Sequence, residues 1–241
     1  LGESQYHLGN SAEAIGYLTD YVNAVDAPER SALFALGVCE FRKGDYENAK
    51  THVGAVTDAD DVMAQSAYLF MGQMYLKDDN LNAAALAFEK AYKMPYDEST
   101  RETAFYNYAL AQSRGGRTPF SSSVKLFQDF LNKFPNSRYA SNVEDYIINS
   151  YMTSKDYDNA LLCIEALKSP SAKMMKAKQN VLYRLGMREL QAGKTTSAAD
   201  FLTRADELAQ YDSKVAQEVK LWLAETRYRQ KKYKQAQTLY N

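Results

Sequence analysis

Very little in this 241-residue sequence bends or breaks a chain: it holds 5 prolines and 11 glycines. That scarcity excludes collagen-like and linker-rich architectures and favours long regular elements. Cysteine is almost missing as well. Cys39 and Cys163 stand alone and far apart, so both are expected to be reduced, packed thiols rather than a disulfide or a metal site. No apolar run approaches the ~20 residues that cross a bilayer as a helix. An excess of one charge is also lacking. The formal net charge of −1 gives nucleic acid or an anionic membrane surface little to attract. There is no leader peptide, but the chain opens on Leu1 rather than Met, so secretion is not excluded on that ground.

Catalytic patterns are wanting too. His7 and His52 are isolated in sequence, and no His, Cys and carboxylate cluster has metal-ligand spacing. Asp58, Asp60 and Asp61 resemble the start of a calcium loop, but the glycine and distal glutamate are missing, so a helix connector is expected there. No nucleophile elbow or Ser/His/Asp arrangement occurs. The expectation is no enzyme, no metal and no cofactor.

What the chain does have is a repeating pair of helices. One small residue recurs as Gly2, Gly37, Gly72, Ala109, Ile148, Gly186 and Ala224, at steps of 35 to 39 residues and with one exception to smallness, Ile148. A second series runs in the same phase: Ala14, Ala49, Ala84, Ser123, Ala160, Ala198 and Ala236. Four residues after it come Leu18, Val53, Phe88, Phe127, Ile164, Leu202 and Tyr240, on the same helical face. Antiparallel helices approach most closely where both carry Gly or Ala, with bulky residues filling the flanking grooves. Each pair leaves an apolar side that only another pair can cover. Tyr46, Leu81, Tyr157 and Tyr233, three residues before their alanines, open the second helices and are placed to plug the gaps between pairs.

The turn inside a pair is clearest at 36–49. Gly44 suits a left-handed stop after the first helix, and Asp45 suits the N-cap of the second. Two other turns stand out. Arg114–Pro119 is a longer connector in which Thr118 and Pro119 restart a helix. At Phe134-Pro135, Pro135 ends a helix and Ser137 is expected to cap the next.

Leu36-Gly37, Gly44-Asp45-Tyr46 and Ala49 resemble the tetratricopeptide repeat. So do Met71-Gly72 with Tyr75, Ala84, Phe88 and Ala91, Lys155 to Ala160, and Leu185-Gly186 with Gly193 and Ala198. The resemblance implies an all-α fold, a right-handed superhelical solenoid of stacked antiparallel helix pairs. It covers the chain as a single solenoid of about seven repeats: 1–28 (partial), 29–62, 63–99, 100–137, 138–173, 174–212 and 213–241 (partial). Neither end carries a polar capping helix, so a fragment of a longer array is expected. The stretch from Phe127 to Tyr139 is similar to segments of envelope-associated tetratricopeptide proteins of Gram-negative bacteria, which inclines the expected location toward the periplasm or outer membrane rather than the cytoplasm.

The resemblance also implies a concave face lined by the first helices, where a peptide or helix of a protein partner binds. Residue by residue, that face includes Phe34, Val38 and Phe41, then Leu69 and Gln73, then Tyr106 and Leu110. Asp145 and Asn149 follow, then Tyr183 and Met187, then Leu221 and Glu225. The competing expectation is that many of these pack the stack itself. The Lys and Asn set with which chaperone-binding members clamp a C-terminal carboxylate is not present. Arg227, Arg229, Lys231, Lys232 and Lys234 form a basic stretch, read either as a patch for an acidic partner or, preferably, as a solvated turn at a helix end. The expected function is a protein–protein interaction scaffold. The alternatives are a structural or self-associating segment of a larger envelope protein and, behind both, a glycan-binding module.

Overall fold

A computed structural model describes residues 1–115 and 120–240. Every regular element among them is a helix. Contacts divide the chain into two compact units, Leu1–Ser123 and Val124–Asn241. The first holds α1 (Gly2–His7), α2 (Ser11–Ala24), α3 (Arg30–Lys43), α4 (Tyr46–Gly54), α5 (Val62–Lys77), α6 (Leu81–Lys93) and α7 (Glu98–Arg114). The division falls inside α8 (Phe120–Lys133). The second unit continues through α9 (Ala140–Ser154), α10 (Tyr157–Glu165), α11 (Ala172–Gln191), α12 (Thr195–Asp206), α13 (Ser213–Arg229) and α14 (Tyr233–Tyr240). The fold is an all-α repeat structure of stacked helix pairs.

The small-residue series does what its spacing predicts. A Cβ added to Gly2 would stand 2.6 Å from Leu18, and one on Gly186 would stand 2.7 Å from Leu202. At Gly72 it would stand 2.5 Å from the ring of Phe88. In each case the glycine meets the large residue sixteen positions later, so backbone lies against side chain with no room for a methyl group. The fifth pair shows the converse. Ile148 occupies the small-residue place, and α9 and α10 pack less closely than the glycine pairs. A small apolar cavity of about 10 Å³ is left there among Ile148, Ala160, Ile164 and Ala177.

The turns within pairs repeat one geometry. Gly44 is left-handed at φ 85°, and the Asp45 N–H donates to the Glu40 carbonyl (3.0 Å). The Asp45 carboxylate accepts from the Asn48 N–H at 3.3 Å. Asn80 and Asp156 cap α6 and α10 in the same way. Tyr46, Leu81, Tyr157 and Tyr233 are each the first residue of a second helix, as their spacing predicts. Ser137 differs from expectation: α9 starts at Ala140, with Tyr139 as its N-cap. The Ser137 hydroxyl instead accepts the Tyr139 N–H (2.9 Å) inside the turn, because the chain needs two further residues before it can enter the helix. The anticipated restart at Thr118-Pro119 lies outside the described residues.

Pairs are latched to their successors by the residue seven positions before the small one. Gln65 is fully buried, and its amide donates to the carbonyls of Met94 (2.8 Å), Ala91 and Asp97. Its oxygen accepts the Asp97 N–H at 2.7 Å. Arg30 holds Asp61 (2.6 Å) and the Val56 carbonyl (2.7 Å), and Gln179 donates to the Asp212 carbonyl (3.2 Å). Asp61, Asp97 and Asp212 are themselves the N-caps of the next first helices. This accounts for the aspartate run at 58–61, which forms a helix connector.

Candidate functional site

First helices touch their successors. In the first unit α1, α3, α5 and α7 form one continuous layer, and in the second α9, α11 and α13 form another. In the second unit the second helices α10 and α12 keep their backbones further apart and are bridged by a long side chain, Arg204 of α12 to Glu165 of α10 at 2.6 Å. That unit is therefore closest-packed along its first helices, the edge on which the candidate residues were placed.

In the first unit Phe34 and Phe41 are half-buried and pack edge-on against Phe70 of α5, with centroids 6.1 and 5.3 Å away. Leu69, Gln73, Tyr106 and Leu110 are also half-buried. Val38 is different. It has no exposed surface, lying in an unbroken buried run from Ala35 to Glu40, and offers a ligand nothing to touch.

In the second unit Asp145 and Asn149 are exposed, and Asp145 is held by Lys173 of α11 at 2.6 Å. Burial first, and then the neighbouring Glu218, push the pKa of the Tyr183 hydroxyl up to about 12. Its ring packs on the cluster of Ala199, Leu202 and Leu223. Met187 is half-buried and Leu221 is 53% exposed. Glu225 accepts from Arg229 at 2.8 Å. Taken together, these side chains offer apolar surface with isolated polar groups.

Sequence reasoning treated His52 as solitary. Its Nδ1 lies 2.7 Å from the buried carboxylate of Glu40, whose pKa burial raises. The twelve-residue separation across a turn gave no signal of that pair. Cys39 and Cys163 are both free and buried, as expected. Burial pushes the Cys163 thiol up to about 11, so it stays a protonated, unreactive group. Among the described residues no group of three or more His, Cys, Asp or Glu could hold a metal ion, and no helix is long and apolar enough to cross a membrane.

Three stretches, residues 1–50, 65–97 and 103–137, match family models described as tetratricopeptide repeat. Those stretches carry the tetratricopeptide repeat. Among solved structures, the C-terminal part of a tetratricopeptide repeat-containing protein from Cytophaga hutchinsonii aligns with a TM-score of 0.51 at 14% identity, covering 99% of this chain and 91% of that one. A tetratricopeptide repeat protein from Parabacteroides merdae aligns with a TM-score of 0.47 at 17% identity, over 94% of this chain and 81% of that one. The Cytophaga hutchinsonii likeness, at 14% identity, shows the fold alone. A comparison with curated proteins returned no match. The tetratricopeptide fold serves generally as a scaffold for protein–protein interaction.

Proposed function

We propose that this repeat protein binds a peptide or helix of a protein partner along its first helices and performs no catalysis. The observation that supports this is the half-burial of apolar side chains, Phe34, Phe41, Leu69 and Leu110, on helices that already form a continuous layer. Residues needed only for stacking would be covered as Val38 is. Half-covered apolar surface beside Gln73 suits the apolar face of a segment with a few hydrogen bonds at its edge.

The test starts from a partner identified by capture and then titrated, purified, by calorimetry. Tyr106→Ala with Tyr183→Ala, and separately Gln73→Arg with Asn149→Arg, should abolish the heat of binding while circular dichroism stays unchanged. Full binding by both double variants would move the site elsewhere.

A second reading, self-association, is favoured by α13 and α14. Leu221, Tyr228, Tyr233 and Tyr240 there are each more than half exposed. Light scattering across a concentration series separates the two, because mass should rise steadily under self-association and fall back on Leu221→Lys. The periplasm or outer membrane is the compartment we infer, on the resemblance of Phe127 to Tyr139. Cell fractionation with immunoblotting tests it, and a purely cytoplasmic signal would overturn it.

A further inference from the structure

Between the start of α12 and the end of α13 lies an open groove of about 530 Å³, lined by Thr196, Asp200, Thr203, Arg227, Gln230 and Lys232. It belongs to the basic stretch that sequence reasoning preferred to read as a solvated turn. Its geometry is more definite than that. Arg227 Nη1 donates to Gln230 Oε1 (3.2 Å), and Nη2 approaches Thr203 Oγ1 (3.4 Å). Gln230 is fixed in turn by donating to the Thr195 carbonyl at 2.8 Å. The guanidinium is thus held in place by neutral partners. Among the described residues no carboxylate comes within ion-pair distance of Arg227 or Lys232.

The preceding junction shows what is missing. Asp158, two residues before Ala160 on α10, grips Arg188 of α11 with two contacts of 2.6 and 3.0 Å. The corresponding place before Ala198 is Thr196, which brings a hydroxyl and no charge. The place of Arg188 falls to Thr226, with Arg227 one residue further on and lining the same groove as Thr196. Between α4 and α5 the junction is likewise closed by an internal ion pair, Lys50 to Asp78 at 2.8 Å. Arginine-to-carboxylate pairing is the strongest contact such a surface can form, and here the arginine is set without the carboxylate.

We propose that the α12–α13 groove binds an acidic segment of a peptide partner, one of whose carboxylates pairs with Arg227. Two features select a peptide carboxylate over a free phosphate. The groove is far larger than one small anion and runs on toward Lys232 and the exposed Lys231 and Lys234, which extend the field for further acids. Asp200 also lines it, held only loosely by Arg204 (3.9 Å), and repels a dianion more than a monoanion. The site shares with the scaffold reading only the premise that the ligand is a peptide, and it uses a different surface.

The test uses the full chain and a fluorescein-labelled, N-acetylated and C-amidated peptide of alternating glutamate and serine, read by anisotropy at low salt, with the emission of Trp222 on α13 as a second signal. The glutamate peptide should bind saturably and its glutamine counterpart should not. Arg227→Gln should weaken binding by about tenfold or more, as loss of a charge-assisted contact does. Arg229→Gln removes the same charge from an arginine already paired with Glu225 and should leave binding within about twofold.

Thr196→Asp should also abolish binding, by supplying the carboxylate internally. An acid in the first turn of α12 suits the helix dipole, so its melting temperature should hold or rise. Equal losses in Arg227→Gln and Arg229→Gln would reduce the site to diffuse charge and overturn the proposal. So would undiminished binding by Arg227→Gln or Thr196→Asp, or inorganic phosphate competing at the peptide's own concentration. Gln73→Arg with Asn149→Arg should leave this binding intact, so failure of the first-helix reading is told apart from failure here.

Discussion

Gly37 and Val53 lie so close that a Cβ on the glycine would meet Val53 Cγ2 at 2.6 Å and the Val53 backbone nitrogen at 3.0 Å. A rotamer change can relieve the first contact but not the second. At Gly186 the nearest atoms belong to the Leu202 side chain, and the nearest backbone atom is at 3.5 Å.

Gly37→Ala should therefore destabilise the fold by about 2–3 kcal/mol, toward the upper end of overpacking costs. Gly186→Ala should cost about 1 kcal/mol. Urea unfolding of the two variants checks the order. Equal losses would mean that side-chain crowding alone matters.

The left-handed turn positions give a prediction of opposite sign. Lys155 sits at φ 57° and Lys231 at φ 61°, where Gly44 and Gly193 stand in the sibling turns. Left-handed backbone costs a side-chain-bearing residue roughly 1–2 kcal/mol, part of which glycine returns as unfolded-chain entropy. Lys155→Gly should stabilise by about 0.5–1 kcal/mol on balance. A lower melting temperature would refute it.

Gln65 and Gln179 occupy the same place and should respond differently. Gln65→Leu strands the Asp97 N–H and several carbonyls, at a cost of about 1–3 kcal/mol. Gln179 has one hydrogen bond to Asp212, and its Oε1 has no partner, so Gln179→Met should be close to neutral. Thermal melts of the two variants decide the point.

These latches also mark the limit of what the chain shows in one dimension. Glycine and alanine at fixed phase were legible because few other residues let two helix backbones touch. The turn signals were legible because a left-handed residue followed by an N-cap has few spellings. A glutamine seven residues before a glycine has no such exclusivity. Its role depends on a loop about thirty residues downstream, and that of Asp145 on Lys173, in the first turn of α11. Val38 was assigned to an open face because the resemblance carried the family's concave positions across residue by residue, without regard to what covers each one here. A first helix inside a stack has neighbours on nearly every side, and α3 is buried over six consecutive residues.

Acid should act on two opposing sets of groups. Arg30 and the Ala64 N–H hold Asp61 below the ordinary carboxylate range, and backbone donors with Lys176 do the same for Asp212. Their contribution is fully present above the unfolded aspartate value of ~4 and is lost as pH falls through the lowered folded values. Glu40 works the other way. Burial raises its pKa, so its charge opposes folding at neutral pH, and protonation below the raised value relieves that. Melting temperature from pH 7 to 3 should fall more gently at its acid end in Asp61→Asn than in the parent. Glu40→Gln should melt higher than the parent at pH 7 and converge with it below pH 4. A constant offset across the range would remove Glu40 from the account.

The bridge from Arg204 to Glu165 joins helices whose backbones stand apart, while the first helices of the same unit are in direct contact. A row fastened tightly along one edge and by long, solvated side chains along the other has unequal stiffness across its width. Bending that opens the loose edge stretches only flexible chains of methylenes and water-exposed charges. Bending that opens the tight edge must pull apart packed carbon. The second unit should thus behave under load like a leaf spring with one compliant direction, adjusting its curvature to whatever lies against it without breaking a core contact.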